Sequence, residues 1–275
     1  MIKPMLAQKV NTKPIDWTNK VFVQPKLDGI RCIFTKDGAY SRAGNEFKNV
    51  AHIKEDLTDF FRKHPDTVLD GELYNHGLKD NFEKIVSLVK KQKPTEQDMR
   101  EASNDVQYHV YDLVNEDHDY ESRYNWLIRY VPIASTMTLI KNTLVENYDE
   151  AEMLHKVHLA QGYEGSMLRL NKPYELKRSY NLQKFKDFSD TEAFIVGYEA
   201  GKGKFEGLIG KFLMCDDDGN EFGCPIGKGY NFKDRKYILD NIHEYVGKRA
   251  TFTYFQRTQA GSYRHPLFKT LRNYE

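Results

Sequence analysis

The sequence lacks an excess of charge of either sign: 41 lysine and arginine residues stand against 40 aspartate and glutamate residues in a chain of 275. A strongly basic composition, the usual electrostatic mark of a nucleic-acid binder, is absent, so any such surface must be a local concentration of Lys and Arg. Cysteine is scarce, and Cys32, Cys215 and Cys224 have no metal-binding spacing. Their odd number, with no signal peptide, predicts reduced thiols in a cytoplasmic protein.

Long apolar runs and metal-hydrolase motifs are missing as well. No apolar run approaches the ~20 residues that a membrane-spanning helix needs, so the sequence predicts no membrane partner. The nine histidines form no H-E-x-x-H motif, which argues against a zinc hydrolase of that kind.

What the sequence does contain is a lysine on a constrained loop, in the run Gln24-Pro25-Lys26-Leu27-Asp28-Gly29-Ile30-Arg31. Apolar residues on both sides predict the end of one strand and the start of another. Pro25 and Gly29 impose an irregular turn between them, which holds Lys26 on a fixed backbone. A lysine amine attacks a phosphate only when neutral, and nearby cations or partial burial favour that form. A surface Lys-Asp pair in a turn would have the same local sequence, so the remaining motifs decide.

Further motifs follow in order: Ser41-Arg42-Ala43-Gly44, Asp70-Gly71-Glu72, Tyr111-Asp112-Leu113, Glu164-Gly165-Ser166-Met167-Leu168-Arg169 and Leu182-Gln183-Lys184-Phe185-Lys186. Together with the K-x-D-G-x-R run, they resemble the successive motifs of the covalent nucleotidyltransferases, which comprise ATP-dependent DNA ligases, RNA ligases and mRNA capping enzymes. The resemblance covers nearly the whole chain. It favours a minimal two-domain, bacteriophage-like ATP-dependent DNA ligase.

The pattern of elements predicts two domains. Strands and helices interleave over residues 1–189, which we expect to form an α+β adenylation (nucleotidyltransferase) domain with antiparallel sheets around a nucleotide cleft. Residues 190–275 carry short strands and one helix-like stretch, and predict a small all-β domain of the OB-fold type. Within the first domain we expect a helix over residues 53–64 and a polar, mobile connection over residues 91–105.

The resemblance implies a reaction in three steps. ATP donates AMP to Lys26 and releases pyrophosphate, AMP passes to the 5′-phosphate of nicked double-stranded DNA, and the 3′-hydroxyl displaces it. The resemblance assigns Glu72 to the ribose hydroxyls, Arg31 to the ribose and Tyr111 to stacking on adenine. Gln24 stands where related ligases commonly have glutamate, and its carbonyl can accept a hydrogen bond from the adenine amino group.

Cations and carboxylates complete the predicted site. Lys184 and Lys186 are two apart on a predicted strand, so both point to one face and can approach the α-phosphate. Fixed cations are needed there because phosphoryl-type transfer leaves the protein mainly positioning and electrostatics. The resemblance assigns Glu164 to the catalytic Mg²⁺, for which Mn²⁺ can substitute, and gives Asp28 a supporting place at the metal.

Contacts to DNA are expected from arginines. Arg42 is predicted on a strand beside the lysine loop, with its planar fork on the 5′-phosphate of the nick. Two departures from the family pattern affect other contacts. Arg169 stands where lysine is frequent, a change expected to alter a phosphate contact. The C-terminus keeps Arg272 but lacks the full R-x-D-K ending, so Arg264 and Arg272 become candidates to orient pyrophosphate or contact DNA.

The resemblance leads us to expect a monomer that serves DNA replication, repair and recombination. ATP is predicted over NAD because only 25 residues precede Lys26, too few for a nicotinamide-recognising domain. Two alternatives stay open. An RNA ligase or a capping guanylyltransferase shares the lysine chemistry, and a non-catalytic OB-fold nucleic-acid binder with a decayed nucleotide domain would form no lysine adduct.

Overall fold

The structure is a computed structural model and describes residues 2–10, 15–185, 189–227, 229–254, 256–257 and 262–272. The chain divides into two compact units, Met1–Lys186 and Asp187–Glu275, whereas the sequence places the boundary after residue 189. Each unit has a hydrophobic core of its own. No helix within the described ranges is long and apolar enough to cross a membrane.

The first unit contains two sheets and the helices that cover them. Its strands are β1 (Leu6–Lys9), β2 (Val21–Lys26), β3 (Ile30–Thr35), β4 (Gly38–Tyr40), β5 (Leu69–Tyr74), β6 (Gln107–Leu113), β7 (Met137–Leu139), β8 (Thr143–Val145), β9 (Gly165–Leu170) and β10 (Arg178–Phe185). Its helices are α1 (Ala51–Asp56), α2 (Thr58–Lys63), α3 (Phe82–Val89), α4 (Glu96–Asp105), α5 (Tyr120–Tyr130) and α6 (Tyr148–Ala160).

The strand order explains how two sheets can share one site. One sheet runs β1-β10-β9-β2-β8, and the other runs β4-β3-β5-β6-β7. The loop between β2 and β3 therefore passes from the first sheet to the second. Lys26, predicted on the loop, is instead the last residue of β2. Neighbouring strands are mostly antiparallel, as predicted, but β1 pairs with β10 and β6 with β7 in parallel.

Apolar side chains fix each sheet to its helices. Phe34 of β3 and Tyr108 of β6 pack with Phe61 of α2 in the larger core. The other sheet packs on α6, where Val23 and Ala151 belong to one fully buried cluster. Removal of this apolar surface from water is the main force that holds the layers together.

The helix predicted over residues 53–64 is present as α1 and α2, which join at Leu57. Helical hydrogen bonds run through the junction: the Leu57 N–H donates to the Ile53 carbonyl, and the Phe61 N–H donates to the Leu57 carbonyl. Leu57 is fully buried at this joint. The apolar spacing that predicts the helix is therefore also the spacing that packs it on the sheet.

The prediction of a polar, mobile connection over residues 91–105 is wrong, because most of this segment forms α4. A capping box starts this helix: the Thr95 hydroxyl accepts from the Asp98 N–H at 3.2 Å, and the Asp98 carboxylate accepts from the Thr95 N–H at 2.9 Å. Such reciprocal caps satisfy donors that the first turn leaves without partners. Ala102 is the helix's buried residue, so apolar periodicity alone gives no helix signal here.

The second unit is a sheet that approaches closure. Its elements are β11 (Ser189–Ala200), β12 (Ile209–Cys215), β13 (Glu221–Pro225), α7 (Phe232–Asp240), β14 (Arg249–Tyr254), β15 (Gln256–Arg257), β16 (Tyr263–Arg264) and β17 (Leu267–Leu271). The main sheet runs β13-β12-β11-β14-β17. Ile226 forms a bridge to Phe268 of the far edge strand, and a Cβ at Gly227 would lie only 2.5 Å from the Phe268 carbonyl oxygen. Close approach of the two edges is what a small barrel requires.

Candidate active site

A cleft of about 250 Å³ in the first unit is lined by side chains from both of its sheets. Its lining includes predicted site residues that are far apart in the sequence: Gln24, Lys26, Arg31, Arg42, Glu72, Tyr111 and Lys184. All of these residues except Arg42 lie on strands of two sheets, which are joined by the lysine loop. The topology therefore brings the successive motifs to one place.

Lys26 is fixed at the end of β2 by its pairing with β9. Its Cα lies opposite Gly165, and the Glu164 N–H donates to the Lys26 carbonyl at 3.0 Å. The Lys26 amine forms an ion pair with the Glu164 carboxylate, and the side chains are 21% and 8% exposed. The group in contact with the amine is thus a carboxylate, whereas the sequence predicts cations there. Nucleophilic attack requires the neutral form of the amine, so this ion pair must be broken or must lose its proton before Lys26 can attack.

The glycine of the lysine motif is required by a close backbone approach. A Cβ on Gly29 would lie 2.5 Å from the Leu73 carbonyl oxygen and 2.7 Å from Cγ of Glu72. These atoms belong to β5, so the loop presses directly on the strand that carries Glu72. Leu27, beside the lysine, is buried in a small cluster with Tyr74. The loop is therefore held at two positions directly after Lys26.

Glu72 and Tyr111 lie on adjacent strands and are joined by a hydrogen bond. The Tyr111 hydroxyl donates to Glu72 Oε2 at 3.2 Å. Burial raises the pKa of Glu72 to about 7, although the charges of Lys26 and Arg31 act in the opposite direction. Near neutral pH this carboxyl group is therefore close to half protonated.

We expect Glu72→Gln to raise the free energy of unfolding at pH 8 but not at pH 5. The pKa in the folded protein, about 7, lies above the usual 4.5, so the folded state binds the proton more tightly than the unfolded state. Wild-type stability is then full below pH 4.5 and declines as the pH rises through about 7. An amide does not ionise, so the gain at pH 8 should be about 1–3 kcal/mol, allowing for solvent in the cleft.

Urea unfolding at both pH values, without nucleotide, measures this difference. Glu152→Gln is the matched control, because Glu152 is an exposed carboxylate in an i,i+4 pair with Lys156 on α6. Its effect should be small and similar at the two pH values. An equal change for Glu72→Gln at pH 5 and pH 8 would contradict the raised pKa.

Arg31 reaches the cleft, but its donors are directed mainly to the protein. Its Nε–H donates to the Asp70 carboxylate at 2.9 Å, and an NH1 donor reaches the Met5 carbonyl at 2.7 Å. Its guanidinium also lies 6.0 Å from the centroid of the Tyr111 ring. The expected ribose contact of Arg31 stays a prediction, and the structure adds a role in joining β3 to β5 and to the N-terminal segment.

The predicted phosphate-binding cations are placed in part. Lys184 lies on β10 with its Cα opposite Met167 of β9, and it lines the cleft. Lys186 lies outside the residues that the structure describes. Arg42 lines the cleft and is exposed, but it is not on a strand as predicted. It lies in a turn in which the Gly44 N–H donates to the Ser41 carbonyl at 2.8 Å, because β4 already ends at Tyr40.

Arg264 and Arg272 belong to the second unit. Arg264 ends the short strand β16. Arg272 follows β17, and its Nε–H donates to the Glu192 carboxylate at 2.7 Å. Its contact in the structure is thus an acidic side chain of the same unit. Their predicted contacts with pyrophosphate or DNA stay predictions.

Of the two predicted metal ligands, Glu164 is in contact with Lys26 and fits a metal shared with a nucleotide. In the described part of the chain, no group of three or more His, Cys, Asp and Glu side chains is arranged to hold a metal ion. Mg²⁺ commonly takes one or two carboxylates and completes its six ligands with phosphate oxygens and water. Glu164 supplies one carboxylate at the lysine, and Asp28 follows on the same loop. This donor set suits such a shared site better than an all-protein cage.

Sequence reasoning identified the motif on β9 but gave Met167 no place in the site. Met167 and Arg169 are two apart on this strand and both line the cleft, while Ser166 and Leu168 are buried on the other face. Strand alternation could have identified this pair once the strand was predicted. The altered phosphate contact expected at Arg169 stays a prediction. The Arg169 guanidinium is buried and lies 5.1 Å from the centroid of the Tyr111 ring.

Comparison of the sequence with known protein families identifies both units of the structure. The chain belongs to the ATP-dependent DNA ligases: the ATP dependent DNA ligase domain matches residues 4–186. The DNA ligase OB-like domain matches residues 200–272. An adenylation domain followed by an OB-type domain is thereby confirmed, as is the family. The roles of single residues stay predictions.

Proteins with similar sequences are DNA ligases as well. The chain is 29% identical to a DNA ligase of Enterobacteria phage T4, over 89% of this chain and 62% of the relative. It is 26% identical to a DNA ligase of Haemophilus influenzae, over 97% of this chain and 90% of the relative. The chain thus spans less than two thirds of the length of the phage relative.

Solved structures show the same architecture. A Lig E DNA ligase structure, from work on DNA binding with a minimal scaffold, superposes with a TM-score of 0.82 at 26% identity and covers 99% of this chain and 100% of that one. The Chlorella virus DNA ligase-adenylate superposes with a TM-score of 0.53 at 24% identity, over 100% and 99% of the two chains. The second likeness concerns the fold alone.

Proposed function

We propose that this protein is a monomeric ATP-dependent DNA ligase that seals nicks with a 5′-phosphate and a 3′-hydroxyl in duplex DNA. The observation that carries the proposal is the single cleft that contains Lys26, Glu72, Tyr111 and Lys184. A nucleophilic amine, a carboxyl group, an aromatic face and a cation are the groups that adenylyl transfer to a lysine needs. The DNA binding described for the Lig E relative supports DNA as the substrate.

The geometry supports one orientation of ATP in the cleft. The Tyr111 ring offers a π face for adenine, and its hydroxyl tip contacts Glu72. Because base and ribose are covalently adjacent, a base on this ring brings the ribose hydroxyls towards the Glu72 carboxyl group. The triphosphate then lies towards Lys26 and Lys184, where positive charge is available.

The first chemical step follows from this orientation. The Lys26 amine attacks the α-phosphorus, a nitrogen–phosphorus bond forms, and the bond to the pyrophosphate oxygen breaks. For this attack, the ion pair with Glu164 must be broken or must lose its proton, so that the amine is neutral. Lys184, and Lys186 by resemblance, balance charge on the α-phosphate. Bound Mg²⁺, with Glu164 and Asp28 as candidate ligands, would neutralise further phosphate charge.

Labelled nucleotides distinguish the proposed function from its alternatives. A DNA ligase should form a covalent protein adduct with ATP that carries the label on its α-phosphate, and it should pass this label to nicked DNA. An adduct with GTP that passes to diphosphate-ended RNA would indicate a capping enzyme, and transfer to nicked RNA alone would indicate an RNA ligase. If neither nucleotide forms an adduct, the remaining alternative is a non-catalytic nucleic-acid binder.

Arg42→Ala is expected to slow AMP transfer to DNA while leaving self-adenylylation largely intact. Arg42 is exposed at the cleft, where its planar fork can pair with two oxygens of the incoming 5′-phosphate. Loss of a charge-assisted contact of this kind costs on the order of 2–3 kcal/mol, or about 30- to 150-fold in rate.

Single-turnover assays of each step measure this effect. Arg42→Lys is the matched control, since it keeps the charge but loses the fork and should recover little of the rate. An adenylylation defect as large as the sealing defect would exclude this role for Arg42. So would nick sealing at the wild-type rate by both variants.

A further inference from the structure

Gln24 and Arg169, whose residue types both differ from those common in related ligases, are in direct contact. Arg169 Nε donates to Gln24 Oε1 at 2.6 Å. The two residues lie on adjacent strands, β2 and β9, and both line the cleft. Gln24 is 1% exposed and Arg169 is 2% exposed. The contact is therefore buried at the floor of the nucleotide cleft.

This contact fixes the orientation of the Gln24 amide. A guanidinium has only donors, so the amide atom that faces it must be the oxygen. The reversed amide would place two N–H donors against each other, an arrangement that burial makes costly. Gln24 Nε2 is directed instead to the Tyr111 carbonyl at 3.5 Å. The hydrogen-bond chemistry thus determines which end of the amide is the acceptor.

Arg169 is itself held from behind. Its NH1 donates to Asp112 Oδ2 at 2.7 Å. The same carboxylate receives Arg123 Nε at 2.8 Å and Arg123 NH2 at 3.0 Å, and Arg123 NH1 donates to the His118 carbonyl at 2.7 Å. The guanidinium of Arg169 also lies between rings, 5.0 Å from the Tyr120 centroid. These contacts restrain both the position and the orientation of the Arg169 guanidinium, so it cannot readily move if the Gln24 amide rotates.

We propose that Arg169 is a positioning residue that makes the site specific for a 6-aminopurine nucleotide by holding the Gln24 oxygen as an acceptor. A carbonyl oxygen can accept two hydrogen bonds, so Gln24 can take a second donor from the cleft while it stays bound to Arg169. Adenine presents an amino donor at position 6, whereas guanine presents a carbonyl acceptor there. A fixed oxygen attracts the first and repels the second. This inference rests on the proposed adenylylation of Lys26.

The difference between glutamine and glutamate shows what Arg169 contributes at this position. Glutamine has one acceptor and one donor end, so it requires a neighbour that fixes its orientation. Glutamate has two acceptor oxygens and requires no such neighbour. A lysine beside glutamate would supply charge without a fixed fork. The pair of Gln24 and Arg169 therefore replaces a charged acceptor with an oriented neutral one.

The test compares adenylylation efficiency, kcat/KM, with ATP, GTP and purine riboside triphosphate, which carries only hydrogen at position 6. Arg169→Lys should lower the ratio of ATP to GTP about 10-fold. An ammonium group paired with Asp112 lacks the rigid fork that also holds the Gln24 oxygen, so the amide can then rotate. The double variant Gln24→Glu with Arg169→Lys should restore the ratio, because a carboxylate accepts in either orientation. A role of Arg169 in stability alone would not be repaired by a change at Gln24.

A second variant keeps the inference testable if Arg169→Lys does not fold. Gln24→Met removes both polar ends at similar size and leaves the contact between Arg169 and Asp112 in place. It should abolish the preference for ATP over purine riboside triphosphate. Retention of that preference by Gln24→Met would overturn the inference.

The remaining outcomes separate this inference from the function on which it rests. An unchanged ATP to GTP ratio in folded Arg169→Lys, or a lost ratio that the double variant fails to restore, would overturn the inference and leave the ligase function standing. If the wild-type protein forms no adduct with any of the three nucleotides, the proposed function fails and the inference falls with it.

Discussion

Lys26→Ala should form no AMP adduct from ATP and seal no nick when ATP is the only source of AMP, yet it should seal a nick that already carries AMP on its 5′-phosphate. The amine serves as nucleophile only in the first step, and alanine offers no group that can replace it. The pairing of Lys26 with Glu164 at the end of β2 places the amine in the cleft for this step. Gel assays of adduct formation and of sealing, with plain and pre-adenylylated nicks, measure the three activities separately.

Lys20→Ala is the matched control for this variant. Lys20 precedes β2, is half exposed and pairs with Glu121 at 2.7 Å, so its loss removes one surface charge and leaves the cleft unchanged. Adduct formation and sealing should stay close to wild type. Sealing of plain nicks with ATP by Lys26→Ala would remove the nucleophile role from Lys26.

Asp112→Ala should lower the free energy of unfolding by about 3–5 kcal/mol, because it leaves buried positive charge without a partner. The Asp112 carboxylate is fully buried and pairs with both Arg123 and Arg169. Both guanidinium groups are at most 3% exposed, so water cannot readily replace the lost partner. Urea unfolding followed by circular dichroism measures the change.

An exposed pair provides the comparison for Asp112→Ala. Asp59 pairs with Arg62 one turn away on α2, and both side chains are at least 70% exposed. Asp59→Ala should change the free energy of unfolding by less than about 1 kcal/mol. If Asp112→Ala were as stable as Asp59→Ala, the buried network would not be a structural element of this unit.

Local sequence patterns are sufficient to predict the structural elements that depend on residues close together in the sequence. The strands on either side of Lys26 follow from apolar runs interrupted by Pro25 and Gly29, and the structure shows why glycine is needed at the second position. The helix over residues 53–64 follows from apolar spacing. By contrast, α4 was missed because its signal is the capping pair of Thr95 and Asp98, and not a buried face.

The contacts that define the cleft depend on strand register, which local sequence does not specify. Alternation places Met167 and Arg169 on one face of β9. It does not indicate that β9 pairs with β2 in the register that brings Gln24 beside them. The pairing of Lys26 with Glu164 likewise joins residues 138 positions apart. The raised pKa of Glu72 results from burial by surrounding strands. Motif order could assemble these residues into a site, but it could not give their partners.

Peptide mapping of the AMP-bearing lysine tests the central claim most directly. Wild-type protein is incubated with ATP and Mg²⁺ and then freed of unbound ATP, so that it cannot be adenylylated again. It is digested and analysed by mass spectrometry before and after a chase with nicked duplex DNA. We predict one AMP group per chain, on the peptide that contains Lys26, and its loss during the chase as sealed DNA appears. AMP on a different lysine, or AMP on Lys26 that survives the chase while nicks are sealed, would contradict the account.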